Sequence, residues 1–421
     1  MQVFKFGGAS VKDAESVINV GTILRKFADQ KTVVVVSAMG KTTNKLEELV
    51  KAYYFKTPQL LNAFEEVKNY HFSLLNKLIP EKENPIYNEL ENVFVELLWA
   101  IEEEPAFSFN HHYDQIVSLG EILSTKIISA YLNYIHVSNQ WIDVRGIIQT
   151  DNSYREGKVN YELSETLAQT QLLPLVIKNK LIVTQGFIGG TSENYTTTLG
   201  REGSDYTASL LAFFLNAEKV IIWKDVPGVL NADPKYFKNT KKIKELTYHD
   251  AIELTYYGAS VIHPKTIKPL QNKSIPLFVK SFISAAEEGT VIKESDQRLN
   301  ITSYIFKTDQ ILISIQPKDF SFIAEDNLSI IFSLLSKNGV KVNMMQNSAI
   351  SFSICIDNDD FKIEPLLESL NDQFKVLYNT EVQLMTIRNY NDEIVAKLSE
   401  GKIILMEQRS RNTHQMIIKS E

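Results

Sequence analysis

Apolar residues fall along this chain in two textures. Near the start, Val3, Phe4 and Phe6 form a short run that stops at Gly7-Gly8, and Thr32–Ser37 reads TVVVVS. Apolar runs without polar alternation predict strands covered on both faces. Between them, Val17, Val20, Leu24 and Phe27 recur at helical spacing. Strand, helix, strand is a βαβ unit and predicts an α/β sandwich around a mainly parallel sheet. Residues 45 to about 135 carry helical patterning punctuated by Pro58, Pro80, Pro85 and Pro105. Strand-like runs return at Trp141–Val144, Leu181–Thr184 and Lys219–Trp223.

The second texture follows a polar stretch near 280–300, where Glu287, Glu288, Gly289 and then Lys293–Gln297 read as a linker. Ile311, Ile313 and Ile315 alternate, as in a half-buried strand. Leu328, Ile331, Phe332 and Leu335 mark a helix, with Asn327 as its N-cap and Gly339 as its C′ residue. Val340–Met345 and Phe352–Ile356 read as strands, Phe361–Leu370 as a helix and Phe374–Tyr378 as a short strand. The order βαββαβ is the ferredoxin-like arrangement. Val382–Ile387 and Lys402–Ile418 offer further strands, with a helix candidate only around Glu393–Leu398, so a second such unit is abbreviated. Two domains are expected, at 1–290 and 300–421.

Composition narrows the function classes. The 421 residues are 44% hydrophobic and 23% charged, which describes a globular chain rather than a disordered one. A net charge of −7 argues against a general nucleic-acid binder. One cysteine, Cys355, leaves no internal disulfide or cysteine zinc cluster and fits a reducing, cytoplasmic setting. No apolar run approaches the length of a membrane span.

Lys5 at a strand end before Gly7-Gly8 suits a phosphate cradle, although such a pair is also an ordinary turn. Gly40-Lys41-Thr42 is no P-loop, because position 35 is Val, and no GxGxxG fingerprint is present. Thr196–Ala208 reads TTTLGREGSDYTA; Arg201 there can grip a carboxylate, with Ser204 and Asp205 capping the next helix, and a plain polar loop is the competing reading. Trp223–Pro234 is a loop after a strand, where α/β sheets bind ligands. His111 and His112 are adjacent and lack metal-ligand spacing, so no metal site is expected; His263 reads as a core or turn residue, and Cys355 as packing.

Taken in order, these segments resemble the aspartokinase family of the amino acid kinase superfamily. The resemblance rests on KFGGAS at 5–10, VVVVSAMGKTTN at 33–44, SLGEILS at 118–124, QGFIG at 185–189, TTTLGREGSDYTA at 196–208, WKDVPGVLNADPK at 223–235 and YGASVIHPKT at 257–266. The C-terminal pattern is similar to the ACT regulatory module such kinases carry. The resemblance implies an αβα catalytic domain that transfers the γ-phosphoryl of MgATP to the side-chain carboxylate of L-aspartate, the first step toward lysine, threonine and methionine. It places Lys5 and Asp205 in catalysis. Ser37, Thr43, Glu121, Phe187, Arg201 and Ser204 would hold the amino acid, with Arg201 on the α-carboxylate and Glu121 on the ammonium group. Lys5, Gly7, Gly8, Ser10, Lys224, Asp225, Leu230, Lys235, Ser260 and Val261 would contact the nucleotide. Asn343 and Ser348 are the effector candidates, and a homodimer or higher homo-oligomer through the ACT region is implied. The rivals are a relative acting on glutamate and a non-catalytic amino-acid sensor.

Several positions depart from the family pattern. Glu202 replaces a glycine and is expected to point outward; Ser260 stands where a lysine is common, and Leu230 where an aromatic is. Asn343 and Ala349 stand where lysine-sensitive members carry carboxylates, so feedback by lysine or threonine is expected to be weakened or altered.

Overall fold

The structure, a computed structural model, describes residues 1–259, 262–296, 301–319 and 321–420. The chain forms two compact units. One takes 1–229, 242–252 and the described part of 261–299; the other takes 230–241, the described part of 253–260, and the chain beyond 300.

The first unit is built on an eight-stranded sheet. Its strands are β1 (Gln2–Phe6), β2 (Thr32–Val36), β3 (Gln140–Ile142), β4 (Leu181–Gln185), β7 (Lys219–Lys224), β8 (Glu245–Thr247), β9 (Leu277–Ser281) and β10 (Thr290–Lys293), in the order β3-β4-β2-β1-β7-β9-β10-β8. A separate hairpin pairs β5 (Ile188–Gly190) with β6 (Thr196–Thr198). Every neighbour pair in the large sheet is parallel except β9 with β10. All five residues of β1, β2 and β4 are buried, as the unbroken apolar runs require. Each valine of Val33–Val36 is fully enclosed, which stabilises the sheet by roughly 1.5–3 kcal/mol per side chain. The helix Ala14–Arg25 lays Val17, Val20 and Leu24 into the core and is capped by Asp13, whose carboxylate accepts the Ser16 N–H at 2.8 Å. Five helices fill Thr42–Tyr134.

The expected linker near 280–300 is largely sheet. Glu287-Glu288-Gly289 is the turn from β9 to β10, with Gly289 at φ +76°, and Thr290–Lys293 pairs on both sides. The strand expected at Trp141–Val144 stops at Ile142, because Asp143 caps a 3₁₀ turn by accepting the Arg145 N–H.

The second unit holds a six-stranded antiparallel sheet, β12-β13-β11-β14-β16-β15, made of β11 (Ser303–Pro317), β12 (Val342–Asn347), β13 (Phe352–Asp357), β14 (Phe374–Arg388), β15 (Lys402–Arg409) and β16 (Thr413–Ser420). With helices Glu325–Lys337 and Asp360–Gln373, the first four strands give the βαββαβ order. The short strand expected at Phe374–Tyr378 runs on to Arg388, because it follows β11 along most of its length through register shifts around Gln310. The far end of that long pair joins β15, β16 and the one short helix Asp392–Ser399, the abbreviated second half. Asn327 is not the N-cap. The helix opens one turn earlier after Ala324, with Glu325 and Asp326 complementing its dipole, while the Asn327 amide donates to the Phe322 carbonyl. Gly339 takes the left-handed C′ conformation, φ +62°. Cys355 is packed among Leu312, Met344, Leu384 and Ile417, and burial pushes its thiol up to about 12. No helix among the described residues is long and apolar enough to cross a membrane.

Candidate active site

β1 lies between β2 and β7, so the carboxyl ends of three central parallel strands deliver Lys5, Ser37 and Lys224 to one edge of the sheet. Beyond β1 the chain must turn tightly against the loop after β2. A side chain at Gly8 would stand 2.8 Å from the Gly40 carbonyl oxygen and 2.9 Å from that of Ala38, so only glycine permits the approach. The Gly40 N–H donates to Gly8 O at 3.1 Å. The same logic joins QGFIG to the Asp205 helix, because a Cβ on Gly186 would come within 2.5 Å of Ser204 Cβ.

Lys5 is buried, and its Nζ lies 2.7 Å from Asp205 Oδ1; Lys224 Nζ lies 3.8 Å from Oδ2. Asp205 is in the first turn of the helix Gly203–Phe214, where the dipole favours a negative charge. Burial acts to raise its carboxyl pKa, but Lys5 and then Lys224 outweigh that and hold it below the usual carboxylate range. Asp205 is thus an ion partner inside the helix rather than its cap, and Ser204 likewise is not the cap. That place falls to Glu202, in left-handed backbone at φ +57° and making no cap bond.

A cavity of about 790 Å³ opens beside this group. It is lined by Lys5, Ser37, Thr43, Glu121, Phe187, Arg201, Ser204 and Asp205, which brings together the eight residues expected to act in catalysis or hold the amino acid. Glu121 is buried, with Oε1 accepting the Ala38 N–H at 3.3 Å and Oε2 unpartnered. Burial raises its carboxyl to about 8, against the opposing pull of that N–H and of Lys5. Such a group is ready to be met by a cation. Ser37 O accepts from Ser124 Oγ at 2.7 Å, which ties β2 to the Glu121 helix. Phe187 holds φ +71°, its N–H donating to Thr207 Oγ1 at 3.0 Å.

Glu202 is exposed, but it is not turned away from the site. It lines the cavity, and its carboxyl interacts with Asp205. Burial raises its pKa and the Asp205 charge adds to this, while Lys224 and Lys5 oppose.

Of the nucleotide candidates, Gly7, Gly8 and Ser10 follow β1, with Ser10 Oγ donating to Trp223 O at 3.5 Å, and Lys224 and Asp225 close β7. Leu230 and Lys235 belong to the second unit, where the Lys235 N–H donates to Asp233 Oδ1. Ser260 and Val261 lie outside the described residues. The effector candidates also lie in the second unit. Asn343 on β12 donates to Gln310 Oε1 and Asp357 Oδ1, both at 2.8 Å, and accepts from Lys307 Nζ at 2.7 Å. Ser348, in the turn after β12, pairs with the Ser351 hydroxyl at 2.7 Å. Sequence reading missed Asn44, Glu47, Asn110, Tyr113, Arg155 and Glu156, which also line the cavity. Asn44 closes the VVVVSAMGKTTN motif but was given no role there; the others lie between the motifs, and no spacing signal marks them.

Residues 1–281 match the amino acid kinase family model. The lysine-sensitive aspartokinase 3 of Escherichia coli (strain K12) is 31% identical over 360 residues, 84% of this chain and 78% of that protein. Chloroplastic aspartokinase 3 of Arabidopsis thaliana is 32% identical over 383 residues, 88% of this chain and 67% of that one. The chain belongs to the aspartokinase family. Aspartokinase III of E. coli, solved in complex with aspartate and ADP in its R-state, superposes with a TM-score of 0.85 at 28% identity, covering 100% of this chain and 96% of that one. The aspartokinase fold therefore spans both units of the chain.

Proposed function

We propose that the protein is an aspartate kinase, transferring the γ-phosphoryl group of MgATP to the side-chain carboxylate of L-aspartate to give 4-phospho-L-aspartate. The observation that carries the reading is one cavity that unites a buried lysine–aspartate ion pair, a buried carboxyl with one unpartnered oxygen and Arg201. The side-chain carboxylate of aspartate is ionised at neutral pH, so it attacks without a general base. What remains is positioning and charge neutralisation. Lys5, held in line by Asp205, neutralises charge on the transferring group, and Lys224 on the opposite oxygen of Asp205 adds a second cation near the phosphates. Glu121 takes the ammonium group, Arg201 the α-carboxylate, and Ser37, Thr43 and Ser204 fill the remaining hydrogen bonds. Magnesium bound with the nucleotide would neutralise phosphate charge, and Asp205, among the cavity carboxylates, would face it.

The reading assigns 1–290 to catalysis and 300–421 to regulation and self-association, with exposed Leu377, Tyr378, Ile403 and Ile404 available for pairing with a second copy. Asn343, bonded to Lys307, Gln310 and Asp357, stands where lysine-sensitive members carry a carboxylate, and on this reading feedback by lysine or threonine is weakened or changed in specificity. A hydroxamate assay with MgATP and aspartate, glutamate or N-acetylglutamate tests the activity. Turnover of aspartate alone supports the reading, and turnover of glutamate alone overturns it.

A further inference from the structure

Two guanidinium groups line the cavity, Arg201 and Arg155. Among the described residues neither makes an ion pair with a carboxylate of the chain, unlike Lys5. Arg155 belongs to no motif, yet its placement is costly and rigid. It holds a left-handed backbone at φ +69°, a conformation uncommon for non-glycine residues and concentrated at functional sites.

One buried carboxylate fixes it there. Asp114, fully enclosed on the helix Phe109–Val117, accepts the Arg155 N–H at 2.8 Å. It also accepts the N–H of Thr198 at 2.9 Å and the Thr198 hydroxyl at 2.8 Å. Thr198 ends β6, three residues before Arg201. Gly157 N–H donates to Thr198 O at 2.9 Å, and a side chain on Gly200 would stand 3.3 Å from the Arg155 carbonyl oxygen. The two arginine-bearing segments are therefore packed together and share an anchor. The Arg155 guanidinium lies over the Tyr113 ring at 4.4 Å, a stacking that sets the plane of its fork.

We propose that Arg155 is a second acceptor-recognition residue, which grips the α-carboxylate of the amino acid from one side while Arg201 grips it from the other. The inference rests on the aspartate kinase reading and adds to it a residue outside the family motifs. The phosphate end of the cavity is organised separately, by Lys5 and Lys224 around Asp205. Arg155 takes its support from Tyr113, Asp114 and the strand leading to Arg201 instead. A carboxylate offers enough lone pairs for two guanidinium forks, and a clamp of this kind rejects acceptors whose α-carboxylate is neutralised.

The test is Arg155→Gly, which removes the guanidinium while relieving the left-handed backbone, so the variant folds and its Tm stays near that of the parent. KM for aspartate should rise roughly 10- to 100-fold, with kcat and KM for ATP nearly unchanged. Arg155→Lys should recover part of the loss, because charge returns without the fork. The decisive readout is the ratio of kcat/KM for L-aspartate to that for its α-amide. This preference should shrink in Arg155→Gly by about the factor lost on aspartate. An equal loss on both acceptors, or a loss that falls on ATP, overturns the proposal. If the parent protein turns over neither acceptor, the kinase reading fails by itself. Calorimetric binding of aspartate and the α-amide to parent and Arg155→Gly proteins then still decides the clamp, and an unchanged preference overturns it.

Discussion

The two sheets of this molecule are used in opposite ways. In β1, β2 and β4 both faces are covered, so no side chain along the strand is free to meet a ligand and chemistry is confined to the carboxyl ends. Lys5 is the penultimate residue of its strand and Lys224 the last. In the antiparallel sheet, β14 exposes Leu377 and Tyr378 while β15 exposes Ile403 and Ile404, and a polar cluster of Lys307, Gln310, Asn343 and Asp357 lies along β11, β12 and β13. A sheet sealed on both faces positions a few end groups rigidly. A sheet with an uncovered surface leaves large apolar side chains exposed along its strands.

The contrast can be broken most forcefully through the core. Ile222→Ala on β7 should cost about 2–5 kcal/mol of stability, whereas Tyr378→Ala on β14 should cost less than about 0.5 kcal/mol in the isolated subunit. Comparable Tm losses for the two would show that the second sheet is as tightly enclosed as the first.

Next in size is Lys5→Ala, expected to lower kcat about 100-fold or more with little change in fold. A variant with near-normal kcat would remove Lys5 from the phosphoryl path. Arg201→Lys should follow, raising KM for aspartate about 10-fold and leaving KM for ATP alone; kinetics in which ATP suffers instead would move Arg201 to the other substrate.

The smallest effect is a pH dependence of a few-fold. Burial raises the Glu121 carboxyl to about 8, against an ordinary value of 4.5. Binding an ammonium group requires the ionised form, so KM for aspartate should fall as pH rises from about 7 to about 8. The folded state binds the extra proton, so its stabilising contribution is complete below the ordinary value and is lost as pH rises through about 8. Glu121→Gln should raise KM and flatten both profiles; an unaltered profile in that variant would assign the dependence to another group.

Much of this architecture was legible beforehand because the ordered motifs carry the catalytic framework. Gly8 and Gly186 are glycines for a reason the coordinates express as distances, and the valine run of β2 could only be an interior strand. What escaped notice were the residues that break the pattern. Glu202 was expected to point outward, whereas it lines the cavity beside Asp205. Arg155 carries no local signal, because its left-handed backbone and its anchor at Asp114, 41 positions away, exist only after folding. The N-cap assigned to Asn327 failed for a related reason. The bond from Ile323 N–H to Ala349 O draws the preceding segment toward the β12–β13 turn, and the helix begins where that constraint releases it.

The strands β11 and β14, fifteen residues each, run through both halves of the C-terminal sheet and stay paired on either side of the register shifts around Gln310. Neither half can therefore melt while the other keeps its ladder intact, since opening one pulls on the same two backbones. Amide hydrogen exchange should find the two halves opening as a single cooperative block, and a protease should release no stable half-fragment from this region.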